Sequence, residues 1–210
     1  ISNYENCQLR IIVMGDIFSD IKTTISHITS PTYYRLVAAD IVPFDKCIYL
    51  DVDLVVQKDL MELYNIDLGD NYIAGVKAPV YHCQPNGNRE HCILTGLKSI
   101  DQYINAGVLV LNLKKLRNQE IRESMIKLAH KQLPSQDQDV FNIISYGHIT
   151  FLDIKYNVMT KYSLTDYKKF NQLVSVFGIK NTVDAYTDPS IIHYADKHKP
   201  WKDIGCLYSD

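Results

Sequence analysis

The sequence predicts an α/β fold, a Rossmann-like and mostly parallel sheet flanked by helices. Three observations predict it. Short runs rich in β-branched and aromatic residues alternate with longer segments whose apolar positions recur at helical spacing. The alternation itself implies helices on both faces of the sheet. The length of 210 residues suits one ordinary α/β domain, so residues 1–210 are expected to form a single unit.

Taken in order, residues 9–14 (LRIIVM) form a strand-like run ending at Gly15-Asp16. Residues 32–42 place Tyr34, Val37, Ala38 and Ile41 on one helical face, and Pro43 stops the helix. Cys47-Ile48-Tyr49-Leu50 is a buried strand that runs directly into Asp51-Val52-Asp53. Residues 79–96 read as a loop, with a turn at Pro85-Asn86-Gly87-Asn88. A strand over 103–113 follows. Ile121, Met125, Leu128 and Ala129 mark a helix over 120–132. Ser135 and Gln138 have the spacing of a capping box that opens a helix through Tyr146. Residues 149–154 and 190–194 complete the strands.

Composition narrows the function. The chain has 22 basic and 24 acidic residues, a balance unlike the basic excess of nucleic-acid binders. No apolar run reaches the roughly 18 residues of a membrane span. Five scattered cysteines, an odd number, point to a reduced, cytoplasmic setting. His82-Cys83 and His91-Cys92 give an HC-x7-HC pattern. Its spacing is unlike that of paired zinc ligands, and it is read as part of an acceptor-side loop. The chain begins with Ile, so it is expected to be a processed or partial form.

In doubly wound folds, ligands bind outside the carboxyl ends of the strands. Asp51 and Asp53 stand there, one residue apart, and so point the same way in an extended chain. Two like charges so placed call for a hard divalent cation between them. A haloacid-dehalogenase-type phosphotransferase would also place Asp-x-Asp after an apolar strand, so the pair alone leaves both chemistries open. At the far end of the chain, His193 closes a short strand and can offer a neutral imidazole. Six residues later, Lys199 offers a point charge suited to a diphosphate.

Four segments in order, YLDVDLVV with LMELYNIDLGDNYIAGV, YINAGVLVLNLKKLR, SQDQDVFN and HYADKHKPW, resemble family 8 retaining glycosyltransferases. That family includes lipopolysaccharide α-galactosyl- and glucosyltransferases and glycogenin. The resemblance spans residues 35–201. It implies a nucleotide-diphospho-sugar transferase fold of GT-A type, here without the family's first strand or strands. It also implies Mn²⁺, with Mg²⁺ as the alternative, held by Asp51, Asp53 and His193.

Other roles come from the same resemblance. Arg35, Val52, Asn105 and Ala106 fall where the family contacts the donor, and Asp137 and Gln138 where it reacts. Asp196 and Lys199 lie in the segment against the diphosphate. The family's pattern has glycine at the place of Asp196, whose carboxylate is expected to point away. Galactose users often carry aspartate at the place of Ala78. The implied reaction moves a hexose, galactose or glucose, from a UDP-sugar donor to a saccharide acceptor with retention. Lipopolysaccharide or another surface glycan is the expected product, made at the cytoplasmic side and peripherally at the inner membrane face. A catalytically impaired nucleotide-sugar-binding protein of the same fold is the alternative.

Overall fold

The computed structural model describes residues 8–21, 30–82, 85–196, 198–202 and 207–208. Among these, seven strands form two sheets: β1 (Lys46–Leu50), β2 (Leu54–Val56), β3 (Ile73–Lys77), β4 (Ile104–Asn112), β5 (Ile149–Phe151), β6 (Val158–Met159) and β7 (Ile191–His193). The larger sheet has the order β1-β4-β3-β5 and the smaller β2-β7-β6.

β4 is the spine of the molecule. Its side chains alternate between two separate cores, as the period of a strand requires. Leu109 and Leu111 face one core with Ile73, Met125, Val140 and Phe141. Val108 and Val110 face the other with Leu63, Ala74, Leu173 and Ile191. All four β4 residues are fully buried, each contributing about 1.5–3 kcal/mol by its removal from water. Helices Gln119–Ala129 and Gln136–Ile144 cover the first face, and Tyr167–Phe177 and Ile179–Thr187 border the second. Among the described residues, no helix is long and apolar enough to cross a membrane.

The α/β class and its flanking helices hold, but the strands are not mostly parallel. β1 and β3 both run antiparallel to β4, and β2 runs antiparallel to β7. Among the described residues, only β3 with β5 and β6 with β7 pair in parallel. A strand buried on both faces is apolar throughout, so its composition carries no record of its partner's direction.

Other local expectations also change. Residues 9–14 form no strand, and Leu9, Ile11 and Val13 are exposed. With no hydrogen-bonded neighbour, an apolar run alone does not make a strand. Residues 32–42 form a 3-10 helix, Ser30–Val37, that passes into the short α-helix Ala38–Ile41. Within 79–96, Pro79–His82 and Pro85–Thr95 are helices. Its Pro85-Asn86-Gly87-Asn88 segment opens the second of these helices rather than turning the chain, and proline suits a first helical position. Ser135 is the N-cap of Gln136–Ile144 but makes no side-chain cap. Asp139 Oδ2 accepts from the Ser135 N–H instead (2.6 Å), and Gln138 is turned elsewhere.

Candidate metal and donor site

The two sheets meet where β1 passes into β2, and Asp51-Val52-Asp53 is that crossing. The Asp51 N–H donates to the Gly107 carbonyl on β4 (2.9 Å), and the Tyr194 N–H after β7 donates to the Asp53 carbonyl (2.9 Å). Leu54 lies opposite His193 in the β2–β7 ladder. Backbone pairing therefore brings position 193 to the acidic pair across 140 residues of sequence. Val52, between the carboxylates, is fully exposed.

Asp51, Asp53 and His193 each offer a ligand atom within 4.8 Å of the others. His193 Nε2 stands 3.4 Å from Asp53 Oδ1 and 3.8 Å from Asp51 Oδ2. Neighbouring ligands around an octahedral ion with bonds of about 2.1 Å lie roughly 3 Å apart, so small shifts close the shell. The second oxygen of each carboxylate is occupied by a cation. Asp51 Oδ1 accepts from Arg35 Nη2 (2.8 Å) and from the Tyr49 hydroxyl (2.8 Å). Asp53 Oδ2 accepts from Lys199 Nζ (2.6 Å). Burial alone would raise the Asp53 carboxyl, but its contacts with the His193 ring and the Lys199 ammonium outweigh it and hold it at about 2. The donor set is an anionic, oxygen-rich one with a single imidazole, which suits Mn²⁺ or Mg²⁺.

Glycine 107 makes room for the imidazole. A Cβ there would lie 2.2 Å from His193 Cε1 and 2.8 Å from Nδ1. Beside the cluster lies a cleft of about 230 Å³, lined by Thr32, Arg35, Asp51, Asn105, Ala106 and Gly107 on one side and Ser135, Asp137 and Gln138 on the other. Arg35 is its hub. Besides Asp51, it pairs with Asp137 Oδ2 (3.0 Å), donates to the Ala106 carbonyl (2.9 Å) and stacks over Tyr49. Burial pushes the Asp137 carboxyl up, and Arg35 and the Thr32 hydroxyl (2.7 Å) oppose that only in part.

Gln138 presents its amide at the floor of the cleft. Its Oε1 accepts from Asn105 Nδ2 (3.0 Å) and from the Ala106 N–H (3.1 Å). Asn142 locks the helix beneath it to β4, exchanging bonds with the Ile104 N–H and carbonyl and donating to the Gln138 carbonyl. Sequence reasoning missed Asn142 and Asn157, the fully buried asparagine that touches His193. No motif marks either one; only their burial without charge shows that they are structural polar groups.

Of the residues singled out from sequence, Arg35, Asp51, Asn105, Ala106, Asp137 and Gln138 line one cleft, with Asp53, His193 and Lys199 at its edge. Asp196 stands outside the ligand cluster. It is half-buried, in the field of Lys161, whose ammonium burial lowers and Asp196 partly restores. The HC-x7-HC residues do not form a cluster among the described residues. His82 Nε2 lies 3.1 Å from the Tyr103 carbonyl, His91 pairs with Asp139, and Cys83 falls outside the described residues.

The model of glycosyl transferase family 8 matches residues 4–205. The chain belongs to this family. Membership removes the phosphotransferase alternative for Asp51 and Asp53. Among family relatives, the glycosyltransferase GlyE of Streptococcus pneumoniae serotype 4 (strain TIGR4) is 30% identical over 178 residues, 83% of this chain and 38% of GlyE. The lipopolysaccharide glucosyltransferase WaaO of Escherichia coli K12 is 29% identical over 91% of this chain and 55% of its own. The solved galactosyltransferase LgtC, in complex with donor and acceptor sugar analogues, superimposes with a TM-score of 0.68 at 26% identity, covering 92% of this chain and 68% of LgtC. The bifunctional WbbM reaches 0.74 at 26% identity, over 89% of this chain and 35% of its own. These neighbours place the family 8 chain in the GT-A-type fold. The chain spans well under two thirds of the length of GlyE and WaaO.

Proposed function

We propose that residues 1–210 act as the catalytic domain of a retaining glycosyltransferase. It would move galactose or glucose from a UDP-sugar to a saccharide acceptor, at the cytoplasmic membrane face, for lipopolysaccharide or another surface glycan. The observation that carries this reading is the convergence of Asp51 Oδ2, Asp53 Oδ1 and His193 Nε2 beside a cleft that holds Asp137 and Gln138.

A bound Mn²⁺ or Mg²⁺ would act there as a Lewis acid on the donor diphosphate. The protein's own side chains do the rest. Lys199 reaches the outer oxygen of Asp53 and can share the charge that builds on a departing nucleotide. Arg35 holds Asp51 and Asp137 in fixed positions, so both carboxylates are set before a ligand arrives. Asp137 can accept hydrogen bonds from sugar hydroxyls in the cleft. Gln138 has both lone pairs of its Oε1 committed to Asn105 and Ala106, which supports a positioning amide over a covalent nucleophile. Holding an acceptor hydroxyl beside the donor carbon is then the main catalytic gain.

The test is hydrolysis and transfer of UDP-glucose and UDP-galactose, with and without Mn²⁺, by the wild-type chain and Asp53→Ala. Metal-dependent turnover by the wild type alone is the expected outcome. Metal-dependent UDP binding without turnover would favour the impaired binding protein. Equal turnover by Asp53→Ala would overturn the metal assignment.

A further inference from the structure

His193 reaches the cluster through Nε2, and its other nitrogen is the end of a chain of buried and half-buried side chains. Nδ1 lies 2.8 Å from Asn157 Oδ1. Asn157 Nδ2 donates to Asn105 Oδ1 (2.8 Å), Asn105 Nδ2 to Gln138 Oε1 (3.0 Å), and Gln138 Nε2 to the Tyr103 hydroxyl (3.2 Å). The Tyr103 hydroxyl donates to Asp139 Oδ1. Asp139 is fully buried and also takes His91 Nε2 (2.7 Å) and the Ser135 N–H (2.6 Å).

The direction of this chain is fixed by groups whose roles cannot reverse. A carboxylate only accepts, so Tyr103 gives its proton to Asp139 and must accept from Gln138. Backbone N–H groups pin the two amides between: Ala106 N donates to Gln138 Oε1, and Gly107 N donates to Asn105 Oδ1 (3.0 Å). Asn105 Oδ1 can only accept, so Asn157 turns its NH₂ toward it and its oxygen toward His193. That oxygen calls for a proton on Nδ1. The competing pull, from the carboxylates on Nε2, acts at 3.4 and 3.8 Å, weaker than a bond at 2.8 Å.

We propose that Asp139, Tyr103, Gln138, Asn105 and Asn157 form a one-way hydrogen-bond chain that fixes His193 as its Nδ1–H tautomer, with Asn157 as the positioning residue. Nε2 is thereby left with its lone pair directed at Asp51 and Asp53. The same chain orients the Gln138 amide, so the metal ligand and the cleft floor are set by one device. Outer partners of this kind govern ligand orientation and basicity at metal sites. The functional meaning rests on the proposed metal-dependent reaction, but the tautomer does not.

The experiment is therefore done first without metal. Nitrogen-15 NMR of histidine-labelled chain, at a pH where the ring is neutral, reads the protonated nitrogen of His193. The wild type is expected to carry the proton on Nδ1. Asn157→Leu removes the acceptor and is expected to move it to Nε2, facing the carboxylates. Asn157→Asp keeps an acceptor and is expected to retain Nδ1–H. Mn²⁺ titration should then show affinity lost by about 10–100-fold in Asn157→Leu and less in Asn157→Asp. A wild-type His193 protonated on Nε2 overturns the proposal, even if Asn157→Leu fails to fold. So does Asn157→Leu with unchanged tautomer and Mn²⁺ affinity. Failure of the wild type to bind Mn²⁺, with Nδ1–H present, would instead strike the proposed function and leave the hydrogen-bond chain standing.

Discussion

Two depressions on this molecule differ in the opposite sense to their size. A groove of about 990 Å³ is lined by Tyr72, Asn112, Lys114, Lys115, Arg117 and His148, while the cleft beside Asp51 has only about 230 Å³. In the large groove the charges are ordinary. Lys115 pairs with an exposed Asp70, and Arg117 is spent on the carbonyls of Ala39, Val42 and Phe44, tying down the turn before β1. In the small cleft and at its edge, Arg35, Asp137 and His193 are all largely buried, and Asp51 links them, with Arg35 bridging Asp51 to Asp137 and His193 facing Asp51. Burying such groups costs free energy unless each is paired. Convergent buried polarity, rather than volume, is what singles out the cleft as the proposed site.

The sharpest way to break this contrast is to remove a ligand. Asp53→Ala should lower Mn²⁺-dependent UDP affinity by more than ~100-fold, since even outer-shell losses cost about 10–100-fold. Isothermal titration checks it, and wild-type affinity in the variant would erase the distinction between cleft and groove.

That residue was legible in sequence because strand chemistry in Cys47-Ile48-Tyr49-Leu50 ran straight into two carboxylates. His193 was legible as the end of an apolar run, and Arg35, Asn105, Asp137 and Gln138 through resemblance to a family. Asn157 was not legible, because a buried amide leaves no pattern until its partners are in place. The capping reading of Ser135 and Gln138 failed for a related reason. Local spacing permits the box, but Asn105 and the Ala106 N–H, some 30 residues away in sequence, compete for the same amide oxygen. Residues 9–14 had the pattern of a strand, and pattern cannot supply a neighbour. The direction of β1 and β3 relative to β4 was hidden because both faces of the sheet are apolar.

A second, smaller effect tests how tightly the cleft is built. Gly107→Ala should fold and yet lose about 10–100-fold in Mn²⁺ affinity, because its Cβ must displace the His193 ring. Titration of the purified variant decides this. An unchanged affinity would mean the imbalance of packing between cleft and groove has no functional weight.

Smaller still is the effect of metal on stability. Mn²⁺ at one hundred times its dissociation constant should stabilise the wild type by about 2.7 kcal/mol, seen as a raised Tm, and should leave the Tm of Asp53→Ala unchanged. The least effect belongs to the large groove. Lys114→Ala with Lys115→Ala should leave UDP affinity and its metal dependence unchanged, because Lys114 is exposed, Lys115 is half-buried against Asp70, and their groove shares no residue with the ligand cluster. A loss of UDP binding there would move the donor site to the groove.

The most direct measurement is diffraction at the manganese absorption edge from crystals grown with Mn²⁺. A single anomalous peak about 2.0–2.3 Å from Asp51 Oδ2, Asp53 Oδ1 and His193 Nε2 is predicted. Lys199 should remain on Asp53 Oδ2, with Oδ1 turned to the ion. Fully occupied Mn²⁺ bound elsewhere, with these three side chains still paired to Arg35, Tyr49, Lys199 and Asn157, would contradict the account.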